Sequence, residues 1–162
     1  MISNGLYELL TTTTPLSSLL AAPANNSVFF SLAQKQATRP YVVLHVVNAV
    51  PAEKTQDGSS ALIDGELQFD SYADSQLMAR RLSQTIRDLL VDFTGPLPDG
   101  TILQFAEVIA DFDDPYELGG GGYVFRSVLR LKALYTDSYT VQSQSLNPAL
   151  NPPIAMGPAE QF

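Results

Sequence analysis

The sequence predicts an α+β fold, an antiparallel sheet of about four to five strands flanked by helices, with an extended C-terminal arm. Three patterns carry that prediction. The run 61–73 places Ile63, Leu67 and Phe69 on one face and Asp64, Glu66 and Asp70 on the other. The run 123–135 places Tyr123, Phe125, Leu129, Leu131 and Tyr135 opposite Arg126, Arg130 and Lys132. Strict alternation marks a half-buried strand. Such strands favour an antiparallel sheet with one face against helices and one polar face free. The third pattern is helical: Met78, Leu82, Ile86, Leu89 and Phe93 recur at three- and four-residue steps.

The other elements follow in chain order. Leu6, Leu9 and Leu10 give a short helix one apolar stripe. Thr14 and Pro15 read as a second helix start, because Pro suits a first-turn position whose N–H has no partner. Pro23 ends that segment, and 28–32 is a short strand. The run 41–50 is apolar on both faces, which predicts a central strand covered on both sides or by another subunit. Residues 51–60 are polar and longer than a tight turn requires, so a projecting loop is expected. Asp74 is the expected cap of the long helix, which should run to about Phe93. The sequence 95–100, Gly-Pro-Leu-Pro-Asp-Gly, is a turn. A less regular strand follows over 101–112. Asp111, Asp113, Asp114 and Glu117 form an expected acidic loop that runs into four glycines, 119–122.

The composition bounds the chemistry. With 162 residues and 45% apolar content, one domain can bury a real core. There is no Cys, and His45 is the single histidine, so thiolate and His-rich metal sites are excluded within one subunit. Seventeen acidic against nine basic residues give a net charge of −8, which argues against a protein that grips phosphate backbones. The first residues lack the basic and apolar regions of a signal peptide. No apolar run approaches the ~20 residues that span a bilayer. A soluble chain made in a cytoplasm, with no membrane partner, is the expectation.

The expected domain occupies 1–137. Residues 138–162 hold Pro148, Pro152, Pro153 and Pro158, end in Phe162, and carry Glu160 as their one charge. Such a segment cannot form its own core and is read as an arm. No catalytic, metal or cofactor-binding residue is assigned. His45 has no sequence-placed partner and reads as a core or interface residue. Asp111, Asp113 and Asp114 lack the glycine and closing glutamate of a calcium loop. The glycines 119–122 lack the Lys and Ser/Thr of a phosphate loop. The candidate contacts are instead Asp64, Glu66 and Asp70 with Arg126, Arg130 and Lys132. They pair either inside one chain, at ~0.2–1 kcal/mol per exposed pair, or between subunits, where they would set an assembly's register.

The order of elements and three stretches support a family resemblance. Arg39-Pro40-Tyr41-Val42-Val43-Leu44 opens a long strand. Gln68-Phe69-Asp70-Ser71-Tyr72-Ala73 runs into the helix beginning Asp74-Ser75-Gln76-Leu77-Met78. Tyr123-Val124-Phe125-Arg126-Ser127-Val128-Leu129-Arg130-Leu131 is the last strand. Over about residues 3–136 the chain resembles the tail terminator, or tail completion, family of long-tailed bacteriophages and gene transfer agents. The resemblance implies a structural virion protein of the tail and neck, assembled in the host cytoplasm. It implies a homo-oligomeric ring, usually a hexamer, stacked on the last ring of tail tube protein. That ring would stop tube growth, meet the head-completion or connector protein and let DNA pass without sequence-specific binding. A net negative subunit suits such passage. On this reading Glu53, Lys54, Asp57, Asp113, Asp114 and Glu117 are loop candidates for reaching neighbouring rings, and Pro148, Pro152, Pro153 and Phe162 mark the arm. The competing readings are a head-closure or minor tail protein, a small enzyme on a ferredoxin-like scaffold, and a binding module using the free sheet face.

Overall fold

A computed structural model of the chain describes residues 1–52, 54–55, 58–59, 62–118 and 122–136. Two helices, α1 (Ile2–Thr12) and α2 (Thr14–Ser17), lead to a 3-10 turn at Ala24–Asn26 and then to β1 (Val28–Phe30) and β2 (Tyr41–Pro51). A small hairpin of β3 (Lys54–Thr55) and β4 (Gly58–Ser59) precedes β5 (Leu62–Ala73). Helix α3 (Gln76–Val91) follows, then β6 (Gly95–Pro96), β7 (Ile102–Asp113), β8 (Tyr116–Leu118) and β9 (Gly122–Thr136).

The sheet runs β1-β2-β5-β9-β7-β6, with β8 also pairing β9. It is larger than expected, and it is mixed, because β1 pairs β2 in parallel. The additional strands β6 and β8 are two and three residues long. Pieces that short leave no periodicity to read. The centre is the β5–β9 ladder, which keeps its register from Leu62↔Thr136 to Ala73↔Phe125. Side chains therefore stay on the same face along the whole pairing.

The inner face carries the core. Leu67, Phe69, Leu129, Leu131 and Tyr135 are buried there with Leu82, Ile86 and Leu90 of α3. Helix α3 packs across β9, β5 and β7. Ser71 and Ser127 face each other across the ladder, and both are buried, as is Ser83 on α3. Small side chains at these three positions let the helix approach the strands closely. The expected stripe of α3 is shifted: Ala79, Leu82, Ser83, Ile86 and Leu90 are buried, while Leu89 and Phe93 pack partly against the core. The N-cap is Ser75, not Asp74. Ser75 is extended (φ −138°, ψ 147°) and its hydroxyl accepts the Met78 N–H at 3.3 Å. Both residue types cap well, but Asp74 accepts instead from Arg39 Nε.

Helix α1 buries Ile2, Leu6 and Leu10. Its Gly5 passes the 97–99 turn so closely that a Cβ there would lie 2.8 Å from Leu97 Cβ. A glycine is required by that approach. Asp99 holds the turn by accepting from the Thr101 N–H at 3.0 Å and the Thr101 hydroxyl at 3.1 Å.

Strand β2 is not central. β1 covers it only at Val42–Leu44, and its burial stops after that point. The segment expected as an acidic loop is ordered differently. Asp111 and Asp113 belong to β7, the Asp114 N–H donates to the Arg126 carbonyl at 2.8 Å, and strand β8 goes on to pair the start of β9 in the same register. Within 51–60, expected as a projecting loop, β3 and β4 pair antiparallel, while residues 53, 56, 57 and 60 lie outside the described residues. Among the described residues no helix is long and apolar enough to cross a membrane.

Phe69 is fully buried at the middle of the core. Phe69→Ala is expected to lower unfolding free energy by about 3–5 kcal/mol. Urea denaturation checks this, with an unchanged dependence on denaturant as the sign that the two-state unfolding is retained.

Candidate functional site

The outer face of the sheet is polar and is built by the even-numbered positions of β5 and β9. Its three cations find carboxylates within the chain. Arg126 donates to Asp70 at 3.0 Å and to Asp114 at 2.9 Å. Arg130 donates to Glu66, and Lys132 Nζ lies 3.3 Å from Asp64. Asp114 lies opposite Arg126 and donates its N–H to the Arg126 carbonyl, whereas none of the three pairs with β5 is directly cross-strand. The residues opposite Arg126, Arg130 and Lys132 are Tyr72, Gln68 and Glu66. Each cation reaches the acid two positions away along β5, always in the same direction. A twisted antiparallel pair brings diagonal neighbours on one side within reach of long side chains. Glu107 on β7 stands opposite Lys132 from the other side and adds a further negative group to the face.

Asp70 is the buried node of this network, with its side chain only 4% exposed. It accepts from Arg126 and from Gln68 Nε2 at 2.9 Å, and His45 Nε2 lies 3.4 Å away. The acid that could partner His45 is thus supplied by the neighbouring strand, through the register Val43↔Asp70. Burial disfavours the Arg126 charge, but the nearby Asp70, Tyr72 and Asp114 outweigh it and raise its pKa above the ordinary value.

Beside Asp70 lies an aromatic group that the sequence reading did not single out. Tyr41 and Tyr72 stack with centroids 4.9 Å apart. Phe29 meets Tyr41 edge-on, Tyr116 meets Tyr72 edge-on, and Arg126 sits 6.0 Å over the Tyr72 ring. Tyr41 and Tyr72 are opposite each other in the β2–β5 register. That pairing was hidden because each residue ends a different run of the sequence. With His45, Asp70 and Gln34 these tyrosines line an open cleft of about 300 Å³. Burial is the main cause that pushes the Tyr72 phenol up to about 12. It likewise raises Tyr41, with Tyr116 adding to the rise and Arg39 opposing it.

The remaining candidates divide. On the inner face, Asp111 and Asp113 meet Arg80 of α3, at 2.5 Å and 3.3 Å, and Arg87 lies 3.6 Å from Asp111. These carboxylates dock the helix onto β7. Asp114 is taken up by Arg126, and Glu117 is exposed on β8. Lys54 lies in β3. Glu53, Asp57 and the arm positions Pro148, Pro152, Pro153 and Phe162 lie outside the described residues. Among the described residues no cluster of three or more His, Asp or Glu could hold a metal ion.

The model of the family described as tail completion protein gp17 matches residues 4–136. The chain belongs to that family. It is a structural protein of the virion tail. A chain of the native gene transfer agent virion superposes on this tail completion chain with a TM-score of 0.59 at 15% identity, covering 82% of this chain and 92% of that one. At that identity the likeness is one of fold. A second solved chain superposes at a TM-score of 0.46 and 13% identity, covering 82% and 89%. No curated protein matches the chain.

Arg126→Met would leave the buried Asp70 without its guanidinium. It is expected to lower stability by about 3 kcal/mol at neutral pH, whereas Lys132→Met, at an exposed pair, costs under ~1 kcal/mol. Denaturant titration of the two variants measures the contrast. Tyr72 gives a pH dependence of known sign. Its pKa rises from 10.0 to about 12 on folding, so the fold favours the neutral phenol. That contribution is complete below pH 10 and is lost as pH climbs through 12. Tyr72→Phe should therefore lose less stability than the parent chain over this window, read from thermal melts at stepped pH.

Proposed function

We propose that this tail completion protein closes into a ring, of six copies, at the head-proximal end of the tail tube. There it ends tube polymerisation, joins the tail to the head-side connector and lets DNA pass. The observation that carries this reading is the family match over 4–136, which takes in the whole described sheet and, apart from the first two residues of α1, its helices. The charge arrangement supports it. Among the described residues of β5 and β9, the outer-face cations Arg126, Arg130 and Lys132 each pair with a carboxylate of the same chain, and the chain as a whole carries −8. A surface of that kind holds few free cations with which to trap a phosphate backbone.

The six charges Asp64, Glu66, Asp70, Arg126, Arg130 and Lys132 serve, on this proposal, to shape and neutralise that face. Contacts with stacked rings fall to the β3–β4 hairpin with Lys54 and to β8 with Glu117. Asp113 and Asp114 are taken up by Arg80 and Arg126. Residues 138–162 act as an arm that clasps a neighbouring copy or ring, so deleting them should weaken the ring while sparing the fold of the domain.

Light scattering with direct imaging tests the central reading. The expected result is a closed ring with an opening wide enough for duplex DNA, and shorter tubes when the protein is added to polymerising tail tube protein. A compact dimer with a filled centre would overturn it.

A further inference from the structure

The outer and inner faces are accounted for, but the two sides of the sheet are not. Strand β7 pairs β9 over Ile102–Asp113 on one side. On the other side, among the described residues, it pairs only at Ile102 and Leu103, with β6. Strand β2 pairs β5 over Tyr41–Pro51, and on its other side, among the described residues, meets β1 only at Val42–Leu44. Each therefore presents a long open edge. Both edges carry exposed apolar side chains, with Gln104 and Glu107 as exposed polar members of β7. One row crosses the whole sheet through Val46, Leu67, Leu131 and Val108. Its middle members are 1% and 0% exposed, while Val46 and Val108 at its ends are 41% and 38% exposed. A β-bulge flanks the row at each end and turns out a further apolar side chain, Val47 on β2 and Ile109 on β7.

Proteins that stay monomeric protect such edges with charge, proline, brevity or a covering element. Here Phe105 and Phe112 extend the uncovered apolar surface along β7, and Val50 does so along β2. Strand direction decides between partners. From β2 through β5 and β9 to β7 each step is antiparallel, so β2 and β7 run in opposite directions. A rotation about an axis along the strands keeps those directions. It brings the β7 edge of one copy antiparallel to the β2 edge of the next, the pairing whose hydrogen bonds run perpendicular to the strands and which is slightly the more stable per residue. Each copy offers a different edge on either side, so the contact is heterologous and can close a ring.

We infer that the occupant of each open edge is a second copy of this chain, with the β7 edge of one subunit adding to the β2 edge, at Val46–Val50, of its neighbour. This rests on the ring reading and names its contact. The sheet becomes continuous around the ring, and the apolar row buried inside each subunit continues across every junction. The charged residues of β5 and β9 stay within their own chain.

The absence of cysteine makes the contact directly testable. Val47→Cys, Ile109→Cys and the double variant would be treated with a short bis-maleimide in the full chain, with circular dichroism melts to confirm folding. Denaturing gels of the double variant should show a ladder rising to the full ring, and neither single variant should cross-link. An equal mixture of the two single variants should give dimers only. Dimers from Ile109→Cys alone would mean β7 pairs β7 about a two-fold axis and would overturn the inference. An intact ring by light scattering with no ladder would also overturn it, assigning the edges to another segment or protein while leaving the ring reading standing. A parent chain that remains monomeric at all concentrations would instead overturn the ring reading itself. Val47→Lys with Ile109→Lys, which sets like charges against each other across the junction, should keep the fold and raise the ring-to-monomer midpoint by at least about tenfold in concentration, the scale of ~1.4 kcal/mol.

Discussion

The unbroken pairing of β5 with β9 is the constraint on which the rest depends. Twelve consecutive residue pairs hold register from Leu62 to Ala73. A slip of one residue would carry Phe69 and Leu129 to solvent and Asp70 and Arg126 into the core. The ladder separates two kinds of chemistry. Its inner side meets α3 through Leu67, Phe69, Leu129 and Leu131 with small serines between them. Its outer side holds every charge that the alternation assigns to it. The bulges lie elsewhere, in β2 and β7, where each strand has a free side.

The ion pairs are a consequence of that ladder and its twist. Three cations each reach back by two positions, so one geometric cause explains three contacts. Their energetic weights differ because their burial differs. Asp64 with Lys132 stands in solvent and contributes little. Asp70 is enclosed by Arg126, Gln68 and the Tyr72 ring, and losing one partner strands a charge in a dry place. The tyrosine stack beside it exists because β2 brings Tyr41 opposite Tyr72. A second set of pairs, Arg80 and Arg87 with Asp111, uses the same chemistry on the inner face to fix α3 over β7.

Membership in a family of virion tail proteins fits a molecule whose described sheet has unfinished edges. A sheet buries backbone N–H and C=O groups well in its interior and leaves them bare at its sides. In this chain the short strands β1 and β6 cap each side over only a few residues. The charge-compensated face and the open edges are therefore distinct parts of one sheet, the first made by side-chain alternation and the second by backbone pairing that stops.

The sequence by itself determined the two-faced strands, the amphipathic helix, the α+β class and the opposed charges of Asp64, Glu66 and Asp70 with Arg126, Arg130 and Lys132. These are local periodicities, and a period of two or of 3.6 is set by backbone geometry alone. It also held enough order of elements to suggest the family. Tertiary structure decided the rest. Whether a charge has a partner depends on register between strands far apart in sequence, so Asp70 could not be known as the buried node, nor His45 as its neighbour. The apolar run that became β2 looked central because hydrophobicity does not say what covers it. Only the position of β1 shows that the cover ends at Leu44. The short strands β6 and β8 exist only because β7 and β9 offer them an edge, which no window of two or three residues can reveal.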